Sequence, residues 1–428
     1  MIFQEIPLKR LFGSVIGGSW GIEPEDGEVT MSCIRAADFD YEHLRANAHT
    51  APMRGYSVAE AEQRQARAGD IILEKSGGGE QTPVGRAVLC TGDRPVVPTN
   101  FAARLRPAPD VDAAFACFLL ASLYSAGWTR ATMKQTTGIQ NLDSGAFLSR
   151  RVSLPSFKEQ RAIADYLDAE TSRIDALIVK KRRMIELLGE RRAIFTSHAV
   201  SHGVVPAPVA ETGNPFAPTV PQGWQLMRLK HVVERIVDTA HKTAPEVAGG
   251  EYLIVRTSNV KSGALVLEGA KYTDEAGFRE WTKRGVPRSG DVLLTREAPA
   301  GEACLVPGGL PLCIGQRMVW LEMPATPAVL GKFLLYSLYS GPGQEFIRLL
   351  SRSTTVAHLN MADIPSIPIA VPPTAEQSAI VSEIDREVLR VGRLAAQLAQ
   401  QVDLLNERRQ ALITAAVTGE LDIPGAAA

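Results

Sequence analysis

The sequence predicts a mixed α/β (α+β) protein of two globular domains separated by two long antiparallel coiled-coil helices, the halves related by a pseudo-twofold internal repeat. Three observations carry that prediction. The chain repeats itself after about half its length, each half ends in a long heptad stretch, and a proline-rich segment joins the halves. Its 428 residues allow two to three domains at about 150 residues each.

The repeat comes first. Glu159-Gln160-Arg161-Ala162-Ile163 returns 217 residues later as Glu376-Gln377-Ser378-Ala379-Ile380, and at the same shift Pro155 meets Pro372 and Asp168 meets Asp385. Gly69-Asp70-Ile71 returns as Gly290-Asp291-Val292, and the apolar run from Phe118 to Ser125 returns as Phe333 to Ser340. Residues 1–157 and 223–373 are then two domains of one kind. Short β-rich runs (Ile71-Ile72-Leu73, Val292-Leu293-Leu294) and one short apolar helix in each make the mixed class. That apolar run, Ala113 to Trp128, falls short of the ~20 residues that span a bilayer and reads as a buried helix.

Residues 158–202 form the first long spacer helix, and 374–422 the second with a C-terminal tail. Every seventh residue of the second is apolar: Ile384, Val391, Leu398, Leu405, Leu412. The matching row in the first is Leu167, Ile174, Lys181, Leu188, Phe195. A companion row three residues on (Ile163, Leu177 and Met184 in one, Ile380 and Leu394 in the other) completes a coiled-coil pattern. Lys181 in the seam and Gln401 in the companion row break it, as register-setting polar residues do. Thr374 with Gln377 matches a capping-box spacing. Residues 203–222, with Pro206, Pro208, Pro215, Pro218 and Pro221, read as a stiff extended linker.

Catalytic patterns fail one by one. Ser76-Gly77-Gly78-Gly79-Glu80 lacks the Lys-Ser/Thr of a phosphate loop. Asp70, Glu74 and Lys75 are wrongly spaced for a nuclease, and Thr295 replaces Glu74 in the second copy. His198 and His202 stand at i, i+4 without the Glu and third ligand of a metal site. Five cysteines, an odd number with no C-x-x-C, give neither a disulfide framework nor zinc ligands. No cofactor or metal is expected. Two polar segments remain, rich in Arg, Gln, Thr and Asn and free of carboxylates, and those side chains hold phosphates and read base edges. They supply the DNA-contact candidates Arg130, Lys134, Gln135, Thr136, Thr137, Gln140 and Asn141 in one half. Arg348, Arg352, Ser353, Thr354, Thr355, His358 and Asn360 are those in the other. Lys75 and Arg296 join them.

The order domain, Pro-x-x-x-Glu-Gln-x-x-Ile helix, domain, Pro-x-x-x-Glu-Gln-x-x-Ile helix resembles the specificity subunit of a type I restriction–modification system. The Gly-Asp-Ile/Val-Leu strands, terminal Thr418-Gly419-Glu420-Leu421 and Gly17-Gly18-Ser19-Trp20-Gly21 fit the same likeness. That resemblance implies two target-recognition domains, each reading half of a bipartite, asymmetric DNA target. It implies helices that act as spacer and docking platform for two methyltransferase subunits, with endonuclease–translocase subunits joining. The chain itself would be non-catalytic and cytoplasmic, without membrane attachment. DNA enclosed jointly with partner subunits accounts for a formal net charge of only −1. The alternatives are a coiled-coil scaffold without a DNA role, and the recognition part of a type IIB-like system.

Overall fold

The structure, a computed structural model, describes residues 4–136, 138–239, 242–297, 299–352 and 358–424; the side chains of residues 135, 136, 351 and 352 are outside the description. It divides into two compact units, Met1–Arg183 with Leu398–Ala428 and Met184–Gln397. The division runs through both long helices rather than at their ends. Each globular core closes over the beginning of one long helix and the end of the other, so the helices are not a separate body.

In the first unit the main sheet runs Phe12–Gly17, Ala102–Pro107, Ile71–Glu74, Ala87–Leu89, Arg45–Ala46, Phe39–Asp40. Ile71, Ile72 and Leu73 are all buried, which is why that run is apolar without alternation. The helix Ala113–Ser125 lies in the core with Leu8, Leu11, Leu105 and Phe147, and it is capped by Asp112, which accepts the Phe115 N–H at 2.9 Å. Ile163 and Leu167 of the first long helix and Ile413 and Val417 of the second complete that core.

The second unit repeats the plan. Its sheet runs Arg235–Asp238, Met318–Glu322, Val292–Thr295, Ala303–Leu305. The register repeats too: Ala103 lies opposite Gly17 and Leu73, and Val319 lies opposite Asp238 and Leu294. The repeated aspartates are turn anchors. Asp70 accepts the Arg67 N–H (2.9 Å) and both arms of Arg106 (2.8 and 2.7 Å). Asp291 accepts from Arg288 N–H (2.7 Å), Trp320 Nε1 (2.8 Å) and Met323 N–H (2.9 Å). The copies diverge after the short helix. The first builds the hairpin Met133–Thr136 and Ile139–Leu142, with Gly138 at φ +85° in its turn; the second continues from Gly331–Tyr339 into another helix, Gly341–Arg352.

The repeated Glu-Gln motif has a structural explanation. Gln160 Nε2 donates to the Pro155 (2.9 Å) and Asp110 (3.2 Å) carbonyls, and its Oε1 accepts the Asp112 N–H (2.8 Å). Gln377 does the same with Pro372 and Ala328 (2.8 Å each) and the Leu330 N–H (2.8 Å). Each glutamine thus clamps a long helix to the start of the short core helix. The capping box expected of Thr374 and Gln377 is not formed, because that clamp uses the Gln377 amide. A reciprocal box occurs in the first copy instead, where Glu159 Oε2 accepts the Ser156 N–H (2.8 Å) and Ser156 Oγ accepts the Glu159 N–H (3.4 Å).

Residues 203–222 also depart from expectation. Val209–Asn214 and Ala217–Pro221 form an antiparallel hairpin, with Ala217 and Val220 in the second core. Prolines are tolerated there because a two-stranded ribbon leaves every other N–H without a strand partner.

The long helices are Phe157–His202 and Thr374–Thr418. Within the first unit Asp175 pairs with Arg409 (3.1 Å) and Lys181 Nζ donates to Gln401 Oε1 (2.6 Å). Within the second, Arg191 pairs with Glu387 (3.5 Å) and Gly203 lies beside Glu376. Rising numbers meet falling ones, so the helices run antiparallel in each unit. Leu167, Ile174, Ile384 and Val391 are buried, and Leu188, Phe195, Leu398, Leu405 and Leu412 are half-buried. The companion row holds at the helix starts, where Ile163 and Ile380 are buried, and moves to the next position farther along. Ile178 and Val402 are buried in the seam, whereas Leu177 and Met184 face outward. No helix among the described residues is long and apolar enough to cross a membrane.

Candidate nucleic-acid interface

In the first unit the Met133–Thr136 and Ile139–Leu142 hairpin is joined by Ser76–Gly77, Gln140 facing Gly77 and Asn141 facing Ser76. Arg130 stands exposed before it. Lys134 is exposed and salt-bridged to Asp143 at 2.6 Å. The Ala146 N–H, and then Lys134, hold the Asp143 carboxyl below the usual carboxylate range. Asn141 Oδ1 accepts the Ser76 hydroxyl. Gln140 is a correction. It is only 6% exposed, and its Oε1 accepts the Val84 N–H at 3.1 Å, so it fastens the hairpin to the domain and is not presented outward. The side chains of Gln135 and Thr136, and Thr137 as a whole, lie outside the described residues.

Lys75 follows strand Ile71–Glu74, its N–H donating to the Phe101 carbonyl (2.7 Å) and its carbonyl accepting the Leu142 N–H (2.8 Å). With its backbone held on both sides, its side chain lies half-buried against Gly17, where an added Cβ would sit 3.2 Å from Nζ. Arg64 donates to the Gly17 and Gly18 carbonyls beside it. Burial, and then the charge of Arg64, lower the Lys75 pKa from the usual lysine range. Sequence reasoning noted Gly17 to Gly21 only as part of a family likeness and did not place the groups around Lys75 in the candidate interface. Phe101 and Trp20 are exposed, and Arg54 stacks over Trp20 with Cζ 5.1 Å from the ring centroid. The recoverable signal was the small-residue run Gly17-Gly18-Ser19, because a Cβ on Gly18 would lie 2.0 Å from the Pro98 carbonyl oxygen.

The second unit presents a different surface. Arg296 is 7% exposed, with Nη1 3.0 Å from Asp238 Oδ1 and Nε donating to the Leu359 carbonyl (3.1 Å); as a DNA contact it is corrected to a buried, neutralised strut. His358 Nδ1 is 3.0 Å from Glu297 Oε1, Arg348 pairs with Glu345 at 2.8 Å, and Asn360 donates to Asp363 at 3.2 Å. The segment itself lacks carboxylates, but the fold brings one to each of these residues from outside it. The Arg352 side chain and Ser353, Thr354 and Thr355 lie outside the described residues. All five cysteines are buried and unbridged.

Residues 221–400 match the family model of the type I restriction modification DNA specificity domain. The chain is 21% identical over 299 residues to the type I restriction enzyme StySPI specificity subunit of Salmonella potsdam, a stretch covering 68% of this chain and 62% of that protein. The match therefore spans less than two thirds of that relative's length. In fold it is similar to the HsdS subunit from Thermoanaerobacter tengcongensis (TM-score 0.55, 17% identity, 98% of this chain and 97% of that one). It is also similar to a chain from a structure titled for complex assembly and conformational transition of the type I R-M system (TM-score 0.66, 18% identity, 98% of each).

Proposed function

We propose that this chain is a specificity subunit of the type I restriction–modification family and reads a bipartite, asymmetric DNA target, one half with each unit. One observation supports the reading most. The same strand order and register occur twice, while what is built on them differs: a hairpin bonded to Lys75 in one unit, and a second helix, Gly341–Arg352, with a paired Arg296 in the other. A common frame with divergent surfaces suits two different half-sites. The candidate contacts are Lys75, Arg130, Lys134 and Asn141 in the first unit, with Arg348, His358 and Asn360 in the second.

The chain is the non-catalytic member of its complex. Two methyltransferase subunits dock on the long helices, endonuclease–translocase subunits join them, and the assembly acts on chromosomal DNA in the cytoplasm. With a net charge of −1, the chain relies on those partners for part of the positive surface that DNA requires.

The test is to purify the chain with its methyltransferase partner, map the methylated motif in the host's DNA, and measure binding to a duplex carrying that motif. Selective binding that weakens with salt, on a motif of two separated parts, is the expected result. A complex that copurifies but retains no DNA sequence selectively would favour a scaffold and overturn the reading.

A further inference from the structure

The two units hold one cation at the same place in the sheet and treat it in opposite ways. Lys75 and Arg296 each follow the equivalent strand, and each donates its backbone N–H to the residue preceding the next repeated strand, Phe101 at 2.7 Å and Arg317 at 2.9 Å. Opposite them stand Gly17 and Asp238, which occupy the same register against Ala103 and Val319. In the second unit the carboxylate at that position discharges the cation, 3.0 Å away. In the first unit the position is glycine, and Lys75 pairs with no carboxylate among the described residues. Its charged neighbour is Arg64, another cation, which pairs loosely with Glu60 (3.6 Å) and donates to the Gly17 and Gly18 carbonyls, so the nearby carboxylate is engaged by Arg64 and not by Lys75. A half-buried ammonium beside a guanidinium is unfavourable by itself and becomes favourable when an anion arrives.

We propose that Lys75, left unneutralised by Gly17, contacts a backbone phosphate of the DNA half-site read by the first unit, and that the second unit has lost this contact through Asp238. The inference rests on the DNA-reading function proposed above and deepens it by assigning one contact to one half.

The repeat supplies the test. A Cβ at Gly17 would meet only the flexible end of Lys75, so Gly17→Asp imports the Asp238 arrangement without a backbone clash. Lys75→Met removes the charge and keeps the stem, and Lys75→Arg keeps the charge. Each is measured in the methyltransferase-bound complex, on a duplex carrying the mapped motif, across a salt series. Gly17→Asp and Lys75→Met are expected to lower the slope of log K against log salt by about one, and affinity at 0.1 M salt about eightfold. The loss should be equal for every base substituted in the first half-site, and Lys75→Arg should restore the slope. A wild-type slope in Lys75→Met overturns the phosphate contact, as does a changed preference at one base. Failure of the unmodified complex to select the motif is a separate result, and it would overturn the DNA-reading function itself along with this contact.

Discussion

Gln160 and Gln377 show how much one side chain can fix. Each is almost wholly buried, and each satisfies two carbonyls and one N–H that belong to different elements. Removing the amide strands all three groups away from water. Gln377→Ala should therefore cost about 2–4 kcal/mol, the scale of leaving buried polar groups unpaired. A urea titration of the full chain would read it as an earlier transition for the second unit, with the first unit's transition unmoved. Glu74 makes the opposite case. Burial raises its carboxyl pKa, with the backbone N–H groups of Arg86, Gly85 and Gly78 offsetting part of the effect. A folded-state pKa above the unfolded value means native Glu74 favours the protonated form. Its penalty is absent below the unfolded pKa of about 4.3 and accrues as pH rises through the folded value. Glu74→Gln should thus stabilise the first unit at neutral pH, and the gain should vanish on acidification towards about pH 4. A gain independent of pH would remove the ionisation explanation.

At the scale of elements, the long helices show what a sequence discloses and what it withholds. Their existence and the heptad row from Leu167 to Phe195 were legible, because a row of apolar residues every seven positions has few other uses. The companion row was legible only at the helix starts, with Ile163 and Ile380; farther along, Leu177 and Ile178 are both apolar neighbours and periodicity weighs them equally. Packing decides between them: Ile178 turns towards Val402, while Leu177 stays outward. The candidate site was legible to the same partial degree. Arg296 and Gln140 look like surface polar residues in sequence, and only the register of the sheet reveals the Asp238 and Val84 groups that satisfy them. The seam also carries a test. Lys181, the one polar residue of its heptad row, donates to Gln401, an exposed residue flanking the seam on the facing helix. Replacing both with leucine should raise the thermal midpoint, by about 1–2 kcal/mol of added stability, while loosening the register that the polar pair specifies. Cysteine crosslinking between positions flanking the pair would then give products at more than one register. A single register in the double variant would show that Lys181 and Gln401 are not what sets it.

For the whole molecule, the placement of the cores decides how recognition could be exchanged between relatives. The first core is not confined to the globular part, since Ile163, Ala164 and Leu167 from one long helix, Ile413, Ala416 and Val417 from the other, and Ile423 just beyond its end are integral to it. A graft of residues 1–157 alone would set a foreign domain against these seven native side chains. Mismatched core shapes of that kind cost about 1–3 kcal/mol per overpacked or emptied position. A graft carrying residues 1–170 together with 412–428 keeps each core residue with its own neighbours. The longer graft should fold with a near-native midpoint, and the shorter should melt earlier, with the loss confined to the first unit. If each unit reads its own half-site, methylation mapped in cells carrying the longer graft should change in one half of the motif and keep the other. A change in both halves would mean that the units do not read independently. Equal stability of the two grafts would mean that the helix ends are interchangeable filler and not part of each domain's specific core.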